Sequence, residues 1–203
     1  MSTEELVALV RTRDVRQVAE ALDAGASPSG ATKAGVTPVM IAAQYGEPEI
    51  VRLLIARGAN VHARSASLQS PLSFAASSGA KDAALAEIVR LLVAAGAAID
   101  TLHSDAPESE LTPLHLAAYG LKPAVCKALL AAGAAVDARS STGATPLHKA
   151  CEDEYGTNTA EVLVAAGADV FIRDNEDRTP LDLALQHASE RQRDRFRALL
   201  GEQ

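Results

Sequence analysis

From residue 34 the apolar positions arrive in two short bursts separated by glycine, and then the pattern restarts. Val39, Ile41, Ala42 and Ala43 make the first burst, and Gly46 interrupts it. Ile50, Val51, Leu53, Leu54 and Ile55 make the second at helical spacing, and Gly58 closes it. Thr37 is a good N-cap, because its hydroxyl can accept a free backbone N–H one turn on. Pro38 suits the first helical position, where its missing N–H costs nothing. Residues 60–69 are turn-rich. The pattern predicts two short helices on a turn over 34–66. Neither helix is long enough to be stable alone, so each pair must bury its apolar faces against neighbours.

The same grammar recurs along the whole chain. Thr37-Pro38-Val39-Met40 is followed by Ser70-Pro71-Leu72-Ser73, Thr112-Pro113-Leu114-His115, Thr145-Pro146-Leu147-His148 and Thr179-Pro180-Leu181-Asp182. The steps between copies are 33, 42, 33 and 34 residues. An alanine follows each copy at Ala42, Ala75, Ala117, Ala150 and Ala184. A second marker, Gly-Ala, keeps time at 25, 58, 96, 133 and 167. Two independent markers at one period mean a tandem array. Six units follow, at about 2–33, 34–66, 67–108, 109–141, 142–175 and 176–203. The first opens on Ser2-x-x-Glu5, a capping-box pattern. The last ends in a charged helix around Arg191, Arg193, Arg195 and Arg197, suited to a solvent-facing cap, with anion binding as an alternative.

These residues resemble the ankyrin repeat family. The Thr/Ser-Pro-x-x-x-Ala segments carry the likeness, with the pairs Leu53-Leu54, Leu91-Leu92, Leu129-Leu130 and Leu163-Val164 and the Gly-Ala exits. The resemblance covers essentially the whole chain. It implies an all-α solenoid of helix–turn–helix units with β-hairpin-like tips. It also implies a concave surface, lined by the tips and the first helices, that binds partner proteins.

The third unit departs from the period. Ser70 to Gly96 is 26 residues, against 21 from Thr37 to Gly58. The extra residues, in 80–87, either lengthen the second helix backwards or widen the loop. Gly96 to Thr112 is 16 residues, against 12 elsewhere, which enlarges an acidic tip over 102–110. That tip is expected to be the most mobile internal segment.

Composition narrows the class. Aromatic residues are 3% of the chain and tryptophan is absent, which suits thin helix pairs packed through Ala and Leu. The net charge of −7 argues against nucleic acid as a partner. The acids concentrate late: residues 152–177 hold eight acids and one base. A basic partner surface is therefore expected at the C-terminal half. Two cysteines make no disulfide framework. The acidic N-terminus is unlike a signal peptide, and no apolar run exceeds nine residues. The expectation is a monomeric cytoplasmic protein in a reducing compartment, without membrane contact, cofactor or metal.

Candidate chemistry is thin. His115 and His148 fill the histidine slot of the repeat, where the resemblance implies hydrogen bonds from a helix start to the neighbouring hairpin. His148 and Cys151 lie three apart on one predicted helix, so a Cys–His pair beside Glu152 is an alternative, catalytic reading. Cys151, however, stands where Ala43, Ala76 and Ala118 stand, a packing slot, and Cys126 aligns with Val51. His103 beside Asp105 and Glu108 matches no metal-ligand spacing. The favoured reading is a non-catalytic interaction module, with an enzyme or a structural subunit of a larger assembly as rivals. Carried over by position, the binding surface takes Lys33, Val36, Gln44 and Tyr45, then Ser67, Gln69, Ser77 and Ser78. It continues through Glu110, Tyr119, Ser141, Ala144, Glu152 and Asp153 to Tyr155, Asn175 and Arg178. Leu54 and Leu130 are expected between neighbouring helix pairs.

Overall fold

The computed structural model describes residues 2–102 and 110–201. Among these, twelve helices alternate as six pairs. First helices are α1 (Thr3–Arg11), α3 (Pro38–Tyr45), α5 (Pro71–Ser77), α7 (Pro113–Tyr119), α9 (Pro146–Cys151) and α11 (Pro180–His187). Second helices are α2 (Val15–Asp23), α4 (Pro48–Ala56), α6 (Asp82–Ala94), α8 (Pro123–Ala131), α10 (Thr157–Ala165) and α12 (Glu190–Leu200). Each first helix packs on the next first helix, and each second helix on the next second helix, giving two layers.

The starts and stops follow the residues. Hydroxyls of Ser70, Thr112, Thr145 and Thr179 accept the N–H three residues on, and proline opens each of these helices. Thr37 departs from expectation. Its hydroxyl is buried without a hydrogen-bond partner, and the histidine nitrogen that meets the Thr112 and Thr145 hydroxyls is absent here because the slot three residues on holds Met40. The Met40 sulfur instead lies 3.4 Å from the Thr37 N–H.

Second helices end on glycines in the left-handed region, with φ of 84°, 90°, 95° and 90° at Gly58, Gly96, Gly133 and Gly167. The alanine after each returns its N–H to a leucine carbonyl: Leu54, Leu92, Leu129 and Leu163. These four leucines are fully buried. The bond sets the register, and it corrects one expectation. Leu129, not Leu130, is the counterpart of Leu54. Leu130 is only partly buried, since one residue further turns the side chain by about 100° around the helix.

The expected hairpin tips are tight loops. The described residues contain no strand, only a single bridge residue at Leu111. Each loop is closed by one bond to a carbonyl four residues on: Thr32 to Val36, Ser65 to Gln69, Ser140 to Ala144 and Asp174 to Arg178, at 2.9–3.0 Å. Neighbouring tips are tied by Ala66 N–H to the Ala34 carbonyl and Asn175 N–H to the Thr142 carbonyl, both 2.9 Å.

The extra residues of the third unit lengthen α6 backwards to 13 residues, against nine in α4, α8 and α10. The extension has a structural use. The Asp82 carboxylate accepts the N–H groups of Ala124 and Val125, at 2.8 and 3.0 Å, capping α8 of the next unit. Residues 103–109 of the long tip lie outside the described residues, as do His103, Asp105 and Glu108.

Candidate partner-binding surface

The C-terminal ends of α7, α9 and α11 lie side by side, and a cavity of about 460 Å³ opens there. Tyr119, Glu152, Asp153 and His187 line it. Tyr119 is 63% exposed and Tyr155, two residues beyond Asp153, is 69% exposed. Asp153 uses one carboxylate oxygen to accept the Tyr155 N–H at 2.8 Å, which fixes the turn after α9. Gly156 completes that turn, because any Cβ there would collide with the Ala150 carbonyl. Glu152 is half-buried and pairs with Lys149 at 2.6 Å. A hydrogen bond to Glu154, with that residue's charge, pushes the Tyr155 phenol pKa up. Three helix C-termini and two carboxylates make the site electronegative. His187 was not singled out from the sequence. Its signal was there, since it follows Thr179 by the eight residues that separate Asp153 from Thr145.

The remaining predicted residues divide between the ends of the first helices and the loops that precede those helices. Lys33 and Gln44 are exposed, and Gln69 is half-buried. Tyr45 is half-buried beneath Arg13, whose guanidinium carbon lies 5.1 Å from the ring centroid. Ser77 is exposed and donates to the Ser73 carbonyl at 2.9 Å. Ser78 is a tie within the stack: it is 4% exposed, donates to the Gln44 carbonyl and accepts the Ala80 N–H. Val36 and Ala144 likewise serve tip closure, and Ala144 is buried. Ser67 is exposed. Glu110 donates its N–H to the Ser141 hydroxyl at 3.3 Å, and the Ser141 carbonyl accepts from the Asn175 amide at 3.0 Å. Arg178 clamps Asp174 through two nitrogens, at 2.9 and 2.7 Å, and reaches Glu176 at 2.8 Å. Burial would raise the Asp174 pKa, but the bonds from Arg178 and Glu176 outweigh it and hold it low.

His115, His148 and the two cysteines are placed for structure. The His115 Nδ1 accepts the Thr112 N–H at 3.2 Å, and Nε2 lies 3.0 Å from the Ala144 carbonyl. A carbonyl only accepts, so Nε2 carries the hydrogen and the ring is neutral. His148 repeats this with Thr145 at 3.1 Å and the Arg178 carbonyl at 3.0 Å. Burial lowers the His115 pKa to about 4 and lowers that of His148 as well. Both nitrogens of His148 are thus engaged away from Cys151. The Cys151 thiol is fully buried, and desolvation pushes its pKa far up; burial takes Cys126 to about 12. The described residues hold no group of three or more His, Cys, Asp or Glu placed to ligate a metal, and no helix long and apolar enough to cross a membrane.

A family model of ankyrin repeats matches residues 7–101, 83–174 and 122–203. Similar curated proteins include the ankyrin repeat and KH domain-containing protein mask-1 of Caenorhabditis elegans, 35% identical over 145 residues. The human ankyrin repeat and KH domain-containing protein 1 is 36% identical over 110 residues. The glycerophosphocholine phosphodiesterase gde1 of Schizosaccharomyces pombe is 36% identical over 88 residues. The matches cover 71%, 54% and 43% of this chain, but only 5%, 4% and 7% of those proteins.

Proposed function

Because the chain belongs to the ankyrin repeat family, we propose that it is a non-catalytic module that binds a partner protein on its tip and first-helix surface, around Tyr119, Glu152, Asp153 and Tyr155. Helix-pair arrays of this kind use such extended surfaces for binding. The observation that carries the reading is exposed Tyr119 in a cavity with Glu152 and Asp153 at three helix ends, with exposed Tyr155 two residues beyond. Large aromatics left in solvent beside a cavity are the side chains that most often anchor a partner. The surrounding acids, on a chain of net charge −7, favour a basic partner surface. Gln44 and Ser77 extend the surface along the first helices, and Lys33, Glu110 and Ser141 along the tips. Tyr45, held by Arg13, contributes less than its sequence position implies.

The catalytic alternative loses its support from the same geometry. A nucleophile must be reachable and its base free to take a proton, and neither holds for Cys151 and His148. The phosphodiesterase named among the relatives is matched over 7% of its length, so that activity stays with that protein.

The test is affinity capture from the source cell with the wild-type chain and with a Glu152→Lys, Asp153→Lys, Tyr119→Ala variant as baits. A protein retained by the first and lost by the second supports the site. With the purified pair, association should slow as salt rises. Equal capture by both baits would refute the placement.

A further inference from the structure

The opposite layer carries a second surface with unbalanced charge. α6 and α8 flank a trough of about 580 Å³, with Ala86 and Ala128 in its floor and Arg90 and Lys127 in its walls. The repeat register explains both features. Five residues before the closing glycine, the second helices carry Leu53, Leu91 and Val162, but α8 carries Ala128. The missing bulk opens the trough.

Six residues before that glycine stand Arg52, Arg90 and Lys127; nine before it stand Glu49, Glu87, Ala124 and Asn158. Arg52 crosses to Glu87 of the next helix at 2.8 Å. By the same register the partner position of Arg90 is Ala124, and that of Lys127 is Asn158. The Asn158 amide oxygen is already taken by Arg195 at 3.3 Å. Neither Arg90 nor Lys127 has an ion pair or hydrogen bond among the described residues. Two rungs of a cross-helix ion-pair ladder thus lack their acids, side by side, over an apolar floor.

We infer that this trough docks an acidic amphipathic helix of a partner protein. The apolar stripe of such a helix lies on the alanine floor, and its flanking carboxylates supply the two missing rungs. Small floor residues let a helix approach closely, and a trough that runs along two helices matches an i, i+3, i+7 set of anchors. A second copy of this chain fits poorly, because the same cations would face each other across the two-fold. This surface lies on the second helices, away from the site around Tyr119.

The probe is a stapled 16-residue helix with a leucine stripe flanked by glutamates, followed by amide shifts on the full chain. Lysine-flanked and scrambled peptides serve as controls. The expected result is shifts confined to α6 and α8 and binding about tenfold or more weaker in Arg90→Glu, Lys127→Glu. Ala131→Trp, which fills the trough from an exposed position, should weaken it as well. Glu152→Lys, Asp153→Lys should leave it unchanged. Equal binding of the scrambled peptide, or shifts at the ends of α7, α9 and α11, would overturn the proposal. So would decanoate shifting the same amides while the peptide does not, or self-association that the charge reversal abolishes.

Discussion

Lowering the pH from 7 to 5 should destabilise the fold through His115, and a substitution already present elsewhere in the chain isolates the effect. The ring is fully buried, and its two bonds require the neutral form. Its pKa falls from 6.5 to about 4 in the fold. A depressed histidine pKa means that the unfolded chain takes up the proton first. The contribution of the neutral ring is therefore complete above pH 6.5 and is lost as the pH falls towards 4. At roughly 1.4 kcal/mol per pKa unit, the loss between pH 7 and pH 5 is about 2 kcal/mol. Met40 occupies the equivalent slot in the second unit, so His115→Met should fit. The variant leaves the Ala144 carbonyl without its donor, at a cost of about 1–3 kcal/mol at pH 7. Its stability should nevertheless fall less on acidification. Urea denaturation of both proteins at pH 7, 6 and 5 gives the comparison. His148 titrates in both and cancels in the difference. If the gap between the two proteins changes by less than about 0.5 kcal/mol from pH 7 to 5, the assignment of a neutral, stabilising His115 is wrong.

Leu54→Ala and Leu129→Ala should each cost about 2–5 kcal/mol in chemical denaturation, whereas Leu130→Ala should cost clearly less than Leu129→Ala; the reverse order would contradict the register. Asp82→Ala removes both caps of α8 and should cost about 1–2 kcal/mol, with faster amide exchange at Ala124 and Val125; unchanged exchange there would show the caps to be idle. Cys151 should resist thiol reagents until the protein unfolds, so rapid labelling under native conditions would mean that its unit opens.

The repeat was legible in the chain because each marker does a local job. Threonine or serine followed by proline, at the repeat period, starts five of the first helices, and a glycine ends the second helices. The capped ends and the packing roles of Cys126 and Cys151 follow from slot identity alone. Other features needed the stack. Leu129 and Leu130 are equally apolar, and only the glycine-anchored bond from Ala134 says which one faces inward. Tyr45 and Tyr119 read alike in sequence, yet Arg13, 32 residues before Tyr45, covers the first and leaves the second in solvent. The extra residues of the third unit had two possible uses until α6 was seen to reach back to Asp82, which caps α8. His187 joined Tyr119, Glu152 and Asp153 only because three helix ends lie side by side. Local chemistry sets where helices begin and end. Which side chains meet across units depends on the rotation and spacing of packed helices, and those are properties of the stack.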